Sequence, residues 1–308
     1  MTPALTVGIT TKNRPEALRA CVRSLDAISH LAPEVLVFDD ASSVPAGEQL
    51  AACDVPLRVI ADPNGPGYIV GRNRLVREAS AEFVLLLDDD TRLLDASAVE
   101  SAMRVLRADA TVAAVGFAQA ESDGRPWPRQ MQPSAAHEPA VVASFIGFAH
   151  LIRRQAFLEL SGYRESFQYF GEEKDFCLRL IDAGYQTIYL PDALIAHVID
   201  MASRDRRRYL RLVARNDCLN TLYNDPLWRV AWMLPARYAL YFRMRRGWKI
   251  RDPWGGFWLA RDVLGRIPGV WKQRRPVSRT TLSRWRALRA APVPYHVPTL
   301  PPDGPRGR

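Results

Sequence analysis

Three consecutive aspartates, Asp88, Asp89 and Asp90, follow directly on the apolar run Phe83-Val84-Leu85-Leu86-Leu87. Carboxylates packed this closely repel one another, so at neutral pH the cluster is stable only where the side chains diverge into water or share a cation. A hard divalent ion suits an all-oxygen set, and the carboxyl ends of strands in an α/β sheet form the ligand crevice, so a shared ion would face a bound, phosphate-bearing substrate. An acidic turn after a strand has the same letters, and the rest of the chain must decide between them. Along an extended segment Asp88 and Asp90 point the same way, which makes them the candidate ion ligands, while Asp89 faces the other way and supports them or touches a bound donor. Two more acidic sets share this character: Asp39-Asp40 closes a second apolar run, and Glu172, Glu173 and Asp175 open a segment of helical periodicity.

These sets need strands and helices to hold them. Leu5 to Ile9, Glu34 to Phe38, Leu57 to Ile60 and Phe83 to Leu87 read as short strands, with helices from Pro15 to Leu25 and from about Ile69 to Ala79 between them. Short apolar runs alternating with helical patterns predict an α/β fold with a mostly parallel sheet flanked by helices. Beyond it we expect a helix over Ala98 to Arg107, a strand over Val112 to Phe117, and a polar, Pro-rich, mobile loop over Ser122 to Pro139. Glu172 to Ala183 reads as a helix stopped by Gly184, followed by strands Thr187 to Leu190 and Ala193 to Val198, the second ending at His197.

The charge distribution splits the chain. Residues 1–203 carry 18 Lys and Arg against 27 Asp and Glu, whereas residues 204–308 carry 24 against 6 and hold seven of the eight tryptophans. We therefore expect a catalytic domain over 1–203, a basic helical extension over 204–291 that lies on a membrane or packs on the first domain, and a disordered tail over 292–308. Cys21, Cys53, Cys177 and Cys218 are widely spaced and form no CxxC pair, which argues against a zinc site or a disulfide framework and favours a reducing cytoplasm. No basic segment followed by an apolar core marks a signal peptide, and Leu227 to Phe242, interrupted by Arg229, Pro235 and Arg237, falls short of a spanning helix.

Four segments, in order, resemble the family 2 glycosyltransferases, nucleotide-sugar-dependent enzymes of the Rossmann-like GT-A fold. Val7-Gly8-Ile9-Thr10-Thr11-Lys12-Asn13-Arg14 is similar to the family's opening strand and nucleotide-contacting turn. Val37-Phe38-Asp39-Asp40-Ala41-Ser42 resembles its VDDGS segment, Leu87-Asp88-Asp89-Asp90 its DxD metal motif, and Phe170-Gly171-Glu172-Glu173-Lys174-Asp175-Phe176-Cys177-Leu178-Arg179 its FGEDxDLxxR helix start. Together they cover roughly residues 5 to 200.

The resemblance implies an inverting transfer of a sugar from a nucleoside diphosphate, most commonly UDP with dTDP or GDP as the other carriers, to a hydroxyl acceptor. It implies Mn²⁺ or Mg²⁺ at Asp88 and Asp90, with His197 where some members supply a third ligand; an imidazole there tilts the choice toward Mn²⁺. Glu173 stands where the family carries its general base, usually an aspartate, with Glu172 and Asp175 as substitutes. Thr10, Thr11, Lys12 and Arg14 fall on the donor side, as does Asp40, the candidate reader of the base edge, while Asp39 caps or supports its turn. Gly71-Arg72-Asn73 resembles the family's ARN segment, with Arg72 a candidate diphosphate contact.

The Gly65-Pro66-Gly67 loop lacks a Walker lysine, which argues against an ATPase. Arginines and tryptophans from Arg204 onward suit an anionic bilayer surface, and we expect a cytoplasmic protein, peripheral at the inner face of the cell membrane, serving a glycan, lipid-linked or secondary-metabolite acceptor. A nucleic-acid-binding tail is a rival reading, disfavoured because no recognised module appears and the front domain is acidic. An inactive GT-A domain carrying that tail is another, because Glu173 departs from the usual aspartate.

Overall fold

The computed structural model describes residues 3–199 and 205–297. Arg204, the expected start of the basic run, and residues 298–308 of the expected tail lie outside them. The chain begins with Leu5–Thr11 (β1), Pro15–Ser24 (α1), Glu34–Asp39 (β2), Ala46–Gln49 (α2), Arg58–Ala61 (β3), Tyr68–Glu78 (α3) and Phe83–Asp88 (β4). Next come Thr91–Leu93 (β5), Ser97–Ala108 (α4), Val112–Ala120 (β6), Ala140–Val141 (β7), Ala149–Arg153 (β8), Arg154–Glu159 (α5), Glu172–Asp182 (α6) and Gln186–His197 (β9). Arg206–Asn224 (α7), Leu227–Gly247 (α8), Gly255–Gln273 (α9), Arg279–Ala290 (α10) and Val293–Pro294 (β10) complete the described chain.

One mixed sheet runs β10-β7-β9-β6-β8-β4-β1-β2-β3, with β5 pairing β9 off this path. β1 lies between β2 and β4, parallel to both, and the register sets Thr11 beside Asp39 and Thr10 beside Asp88. The acidic strand ends are thereby brought to one edge of the sheet. The alternation of β4 explains why it is apolar throughout: Phe83, Leu85 and Leu87 join the core with α1 and α4, while Val84 and Leu86 join the core with α3, α5 and α6. A strand covered on both faces needs a continuous apolar run.

Three expectations change. Thr187 to Leu190 and Ala193 to Val198 are one strand, β9, whose pairing with β6 shifts register at Phe117/Ala118. Pro191, which lacks an N–H, falls at this bulge, so the local sequence reads as a break. The Ser122 to Pro139 loop is tied down: Trp127 N donates to Gln119 O (2.9 Å), and the Gln132 amide pairs with the Gln119 backbone in both directions at 2.8 Å. Part of the expected disordered tail extends the sheet, with Val293 and Pro294 opposite Val141 and Ala140.

The C-terminal helices pack against the sheet layers. Leu219 and Tyr223 of α7 enter the α3/α5/α6 core, and Leu282, Trp285 and Leu288 of α10 enter the other. Leu210, Cys218, Tyr241, Leu259 and Val263 build a smaller cluster among α7, α8 and α9. Among the described residues, no helix is long and apolar enough to cross a membrane.

Candidate active site

The aspartate triplet divides as its extended geometry dictates. Asp89 is buried and accepts hydrogen bonds from Thr11 Oγ1 (2.8 Å) and Arg14 Nη1 (3.1 Å), so it braces the β1 turn. Arg14 also donates to Asp90 Oδ2 at 2.9 Å. The pairing of β5 with β9 sets Thr91 opposite His197, which carries the imidazole to the triplet: its Nε2 lies 3.5 Å from Asp90 Oδ1. His197 is stacked between Phe148 (4.7 Å) and Trp127 (5.5 Å), and its Nδ1 meets Gln119 Oε1 at 2.6 Å.

No group of three or more His, Cys, Asp or Glu side chains is gathered to hold an ion among the described residues. The fit to a divalent metal rests on a narrower observation. Asp90 Oδ1 is buried without a hydrogen-bond partner and faces the imidazole nitrogen left over when Nδ1 engages Gln119. An anionic oxygen and an imidazole nitrogen, with a partly exposed Asp88 on the same segment, form a donor set suited to Mn²⁺ or Mg²⁺. Burial pushes the Asp90 carboxyl up, but His197 and Arg14 outweigh it and hold it below the ordinary carboxylate range. Burial raises Asp88, against the pull of Arg72, and raises Asp89 to about 6.

Arg72 connects this cluster to the glutamates. Its guanidinium is 2 % exposed, lies 4.6 Å from the Tyr68 ring centre, and donates to Asp88 Oδ1 (2.7 Å), Gly147 O (2.6 Å) and Glu172 Oε1 (3.1 Å). The expected role as a diphosphate contact therefore gives way to an internal bridge, because both terminal nitrogens of the guanidinium are engaged by the protein. Gly147 is a close-approach glycine: an added Cβ would stand 2.3 Å from Glu173 Oε1 and 2.9 Å from Arg72 Nη1. The space left by that missing side chain accommodates a glutamate where the family usually has the shorter aspartate.

Glu172 is fully buried and its Oε2 has no hydrogen-bond partner. Burial, reinforced by Glu173 and opposed by Arg72, raises its carboxyl to about 8. Burial also raises Glu173, again against Arg72. Asp175 does not join them. Its Oδ1 accepts from Arg164 and from Asn224 Nδ2 (2.7 Å), and its Oδ2 accepts from Arg179 Nε (2.9 Å), so this acid ties α6 to its neighbours. Burial pushes it up, but Arg179 and Arg164 hold it below the ordinary range.

On the donor side, Asp40 Oδ1 accepts from Gly67 N (2.7 Å) and Oδ2 from Lys12 Nζ (3.3 Å), joining the β1 turn to the glycine loop. Thr10 is buried beside Asp88 in the sheet register. Asp39 accepts from Ser42 N (2.9 Å) and Ala46 N (2.8 Å), the supporting role expected of it. Gly71 and Asn73 are drawn away from a ligand role. A Cβ on Gly71 would meet the Phe38 ring at 2.4 Å, so helix–strand packing demands glycine there. Asn73 Nδ2 donates to Tyr163 O (2.8 Å) and Glu165 Oε1 (3.0 Å), and Tyr163 N donates back to its Oδ1 (2.8 Å).

Several contributors escape sequence reasoning. Gly147, Phe148 and Gln119 act through contacts far apart in the chain, and nothing in their local sequence marks them. The α7 asparagines did leave a signal, an i, i+4, i+8 spacing at 216, 220 and 224 on a single helix face. Asn216 Nδ2 lies within 3.0 Å of the carbonyls of Phe167, Tyr169 and Phe170, and Asn220 Nδ2 donates to Gly171 O (3.1 Å). This loop carries positive φ at Gln168, Phe170 and Gly171, and the ladder holds it in that uncommon shape just before Glu172.

Residues 6–170, more than half of the chain, match the model for glycosyl transferase family 2. The chain belongs to that family. Among curated family relatives, it is 27% identical over 217 residues to a pre-mycofactocin glycosyltransferase of Mycobacterium tuberculosis, covering 63% of this chain and 42% of the relative. An N-acetylglucosaminyltransferase of Sinorhizobium fredii is 26% identical over 232 residues, covering 67% of this chain and 56% of the relative. The chain thus spans about half the length of the curated relatives it matches. Among solved structures, the mannosyltransferase PcManGT of Pyrobaculum calidifontis, in complex with GDP-Man and Mn²⁺, superposes with a TM-score of 0.55 at 16% identity, covering 94% of this chain and 80% of that one. Residues 1–349 of S. aureus TarS in complex with UDP give 0.59 at 17%, covering 93% and 87%. These likenesses establish the GT-A fold of this family 2 member.

Proposed function

We propose that the protein transfers a sugar from a nucleoside-diphosphate donor to a hydroxyl acceptor by direct displacement with inversion, using a divalent cation. The observation that carries this reading is the buried Arg72 bridge, which ties Asp88 at the end of β4 to Glu172 at the start of α6. A metal-binding carboxylate and the helix start that carries a proton acceptor have to be held at fixed separation across one sugar, and a guanidinium bonded to Asp88 and to Glu172, the neighbour of Glu173, does this. Asp88, Asp90 and His197 would hold Mn²⁺ or Mg²⁺, which supplies positive charge against the departing diphosphate.

The chain's own groups account for the rest. The acceptor oxygen bonds to the anomeric carbon as the bond to the diphosphate oxygen breaks, and the acceptor proton passes to the Glu173 carboxylate. Glu173 suits that role because burial raises its affinity for a proton, and Gly147 leaves room for its side chain. Glu172, held largely protonated at neutral pH, keeps the pair from carrying two adjacent charges. Lys12 and Arg14, each about half exposed, present cations on the donor side, and Asp40 lies beside them as the base reader. A UDP sugar is the favoured donor, with GDP and dTDP sugars next, in line with the UDP and GDP-Man complexes of the TarS and PcManGT structures. The acceptor class we favour is a glycan or lipid-linked hydroxyl at the cytoplasmic membrane face.

The test is nucleoside diphosphate release from UDP, GDP and dTDP sugars with and without Mn²⁺ or Mg²⁺, with the product's anomeric configuration read by NMR. Metal-stimulated release from one nucleotide class and an inverted product are expected. No release from any class, together with no nucleotide-induced rise in melting temperature, overturns the reading.

A further inference from the structure

Helices α8 and α9 form a hairpin whose strongest surface feature has no use in the transfer reaction. Tyr238 Oη donates to Gly256 O (3.1 Å) near the tip, while Arg274, just beyond α9, donates to the carbonyls of Leu222 and Asp225 ahead of α8. The inner face, with Tyr241, Leu259 and Val263, packs around α7. The outer face is largely apolar, with Arg261 the exposed cation in the middle of α9 and Lys272 near its end. Every exposed position of α8 from Trp228 to Phe242 is Trp, Ala, Pro or Phe. On α9, Phe257, Leu264 and Trp271 recur at seven-residue spacing, 60–69% exposed, and Trp232 and Trp254 reach 77% and 75%. Large apolar side chains exposed in this number on one hairpin mark an interaction surface rather than ordinary solvent contact.

The hairpin tip says what covers this face. Arg243, Arg245, Arg246, Lys249 and Arg251 cluster there, and four of them line a concavity of about 510 Å³. Asp252, the acid among them, is already engaged by Arg211 (2.8 Å) and Tyr241 (2.8 Å). An apolar, Trp-bearing face that ends in clustered cations is complementary to a layer with an apolar interior and phosphate at its surface. A second copy of this chain would instead bring two arginine-rich surfaces together.

We propose that the outer face of the α8–α9 hairpin seats on an anionic lipid bilayer, its aromatic side chains entering the headgroup boundary and its basic tip engaging the lipid phosphates. The tip also adjoins the glutamate loop: Trp248 stacks on Tyr209 (5.7 Å), and Tyr209 meets Phe170 (4.8 Å), two residues before Glu172. Seating therefore brings the loop that carries the glutamates toward the lipid surface.

The experiment pellets the full chain with vesicles of phosphatidylcholine alone or mixed with phosphatidylglycerol, in the absence of donor and acceptor. Binding to the mixed vesicles only, weakened by added salt and accompanied by a blue shift of tryptophan fluorescence, is expected. Arg245→Glu/Arg246→Glu/Lys249→Glu should weaken it by at least about 10²-fold, and Trp232→Ala/Trp254→Ala by about tenfold, both with wild-type melting transitions. Leu264→Ser/Trp271→Ala replaces either variant that fails to fold. Failure of the wild type to pellet with the mixed vesicles, or binding unchanged in the folded variants, overturns the proposal. So does a concentration-dependent dimer in sedimentation velocity that Trp232→Ala/Trp254→Ala dissolves.

Discussion

Asp90 and the Glu172–Glu173 pair are buried acids at strand or helix ends, yet their surroundings push them in opposite directions. Asp90 sits against Arg14 and His197 and is held ionised, whereas Glu172 is desolvated beside another carboxylate and retains its proton to about pH 8. Arg72 touches both regions, so the difference comes from the remaining neighbours. Separation of proton affinities among neighbouring acids is how one site can hold a cation at one end and accept a proton at the other. Asp175 sharpens the contrast. It lies one helical turn from Glu172 in the same α6, but two arginines saturate it and leave nothing for chemistry.

The largest effect that could break this comparison is at the cation end. Asp90→Ala should lower transfer by on the order of 10³-fold or more and abolish any metal-dependent rise in melting temperature. Retained metal response would move the ion elsewhere. At the proton end, Glu173→Gln should lower kcat by about 10²–10³-fold with donor affinity unchanged, because the amide keeps the shape and loses the basicity. Steady-state kinetics separate the two: a loss confined to KM would remove Glu173 from the base role.

The fold was legible because five apolar runs alternate with helical patterns, and a parallel sheet then aligns their carboxyl ends without further information. The site was legible in part. Asp88, Asp90 and Glu173 stand out as charges beside apolar runs, but Glu172, Glu173 and Asp175 look alike in one dimension. What distinguishes them is the company each keeps: Arg72 and Gly147 for the first two, Arg164 and Asn224 for the third, all distant in sequence. The three-residue β5 that delivers His197 to Asp90 is too short to announce itself, and the α9 stripe 257-264-271 appears in the sequence only as scattered aromatics.

Asp175→Asn tests whether that acid is structural. It leaves Arg164 and Arg179 without their shared counter-charge, and breaking a buried pair in this way costs about 3 kcal/mol. A clear fall in melting temperature is expected, with activity per folded molecule retained within about tenfold. Activity lost at unchanged stability would return Asp175 to the catalytic set.

The smallest effect is the pH dependence contributed by Glu172. Its folded-state pKa, about 8, lies above the ordinary 4.5, so between these values the native state holds a proton that the unfolded chain has lost. The stability this confers is fully present below the ordinary pKa and is lost as pH rises through the folded one, so unfolding free energy falls with pH across that window. Between about pH 7 and 9 the loss is roughly 1 kcal/mol. Glu172→Gln keeps a neutral, isosteric group and should flatten that limb, matching wild type near neutrality and exceeding it at alkaline pH. Chemical denaturation of both proteins at a series of pH values checks this. Parallel profiles would mean that Glu172 is ionised in the folded protein, and Glu172 and Asp90 would then share one electrostatic character.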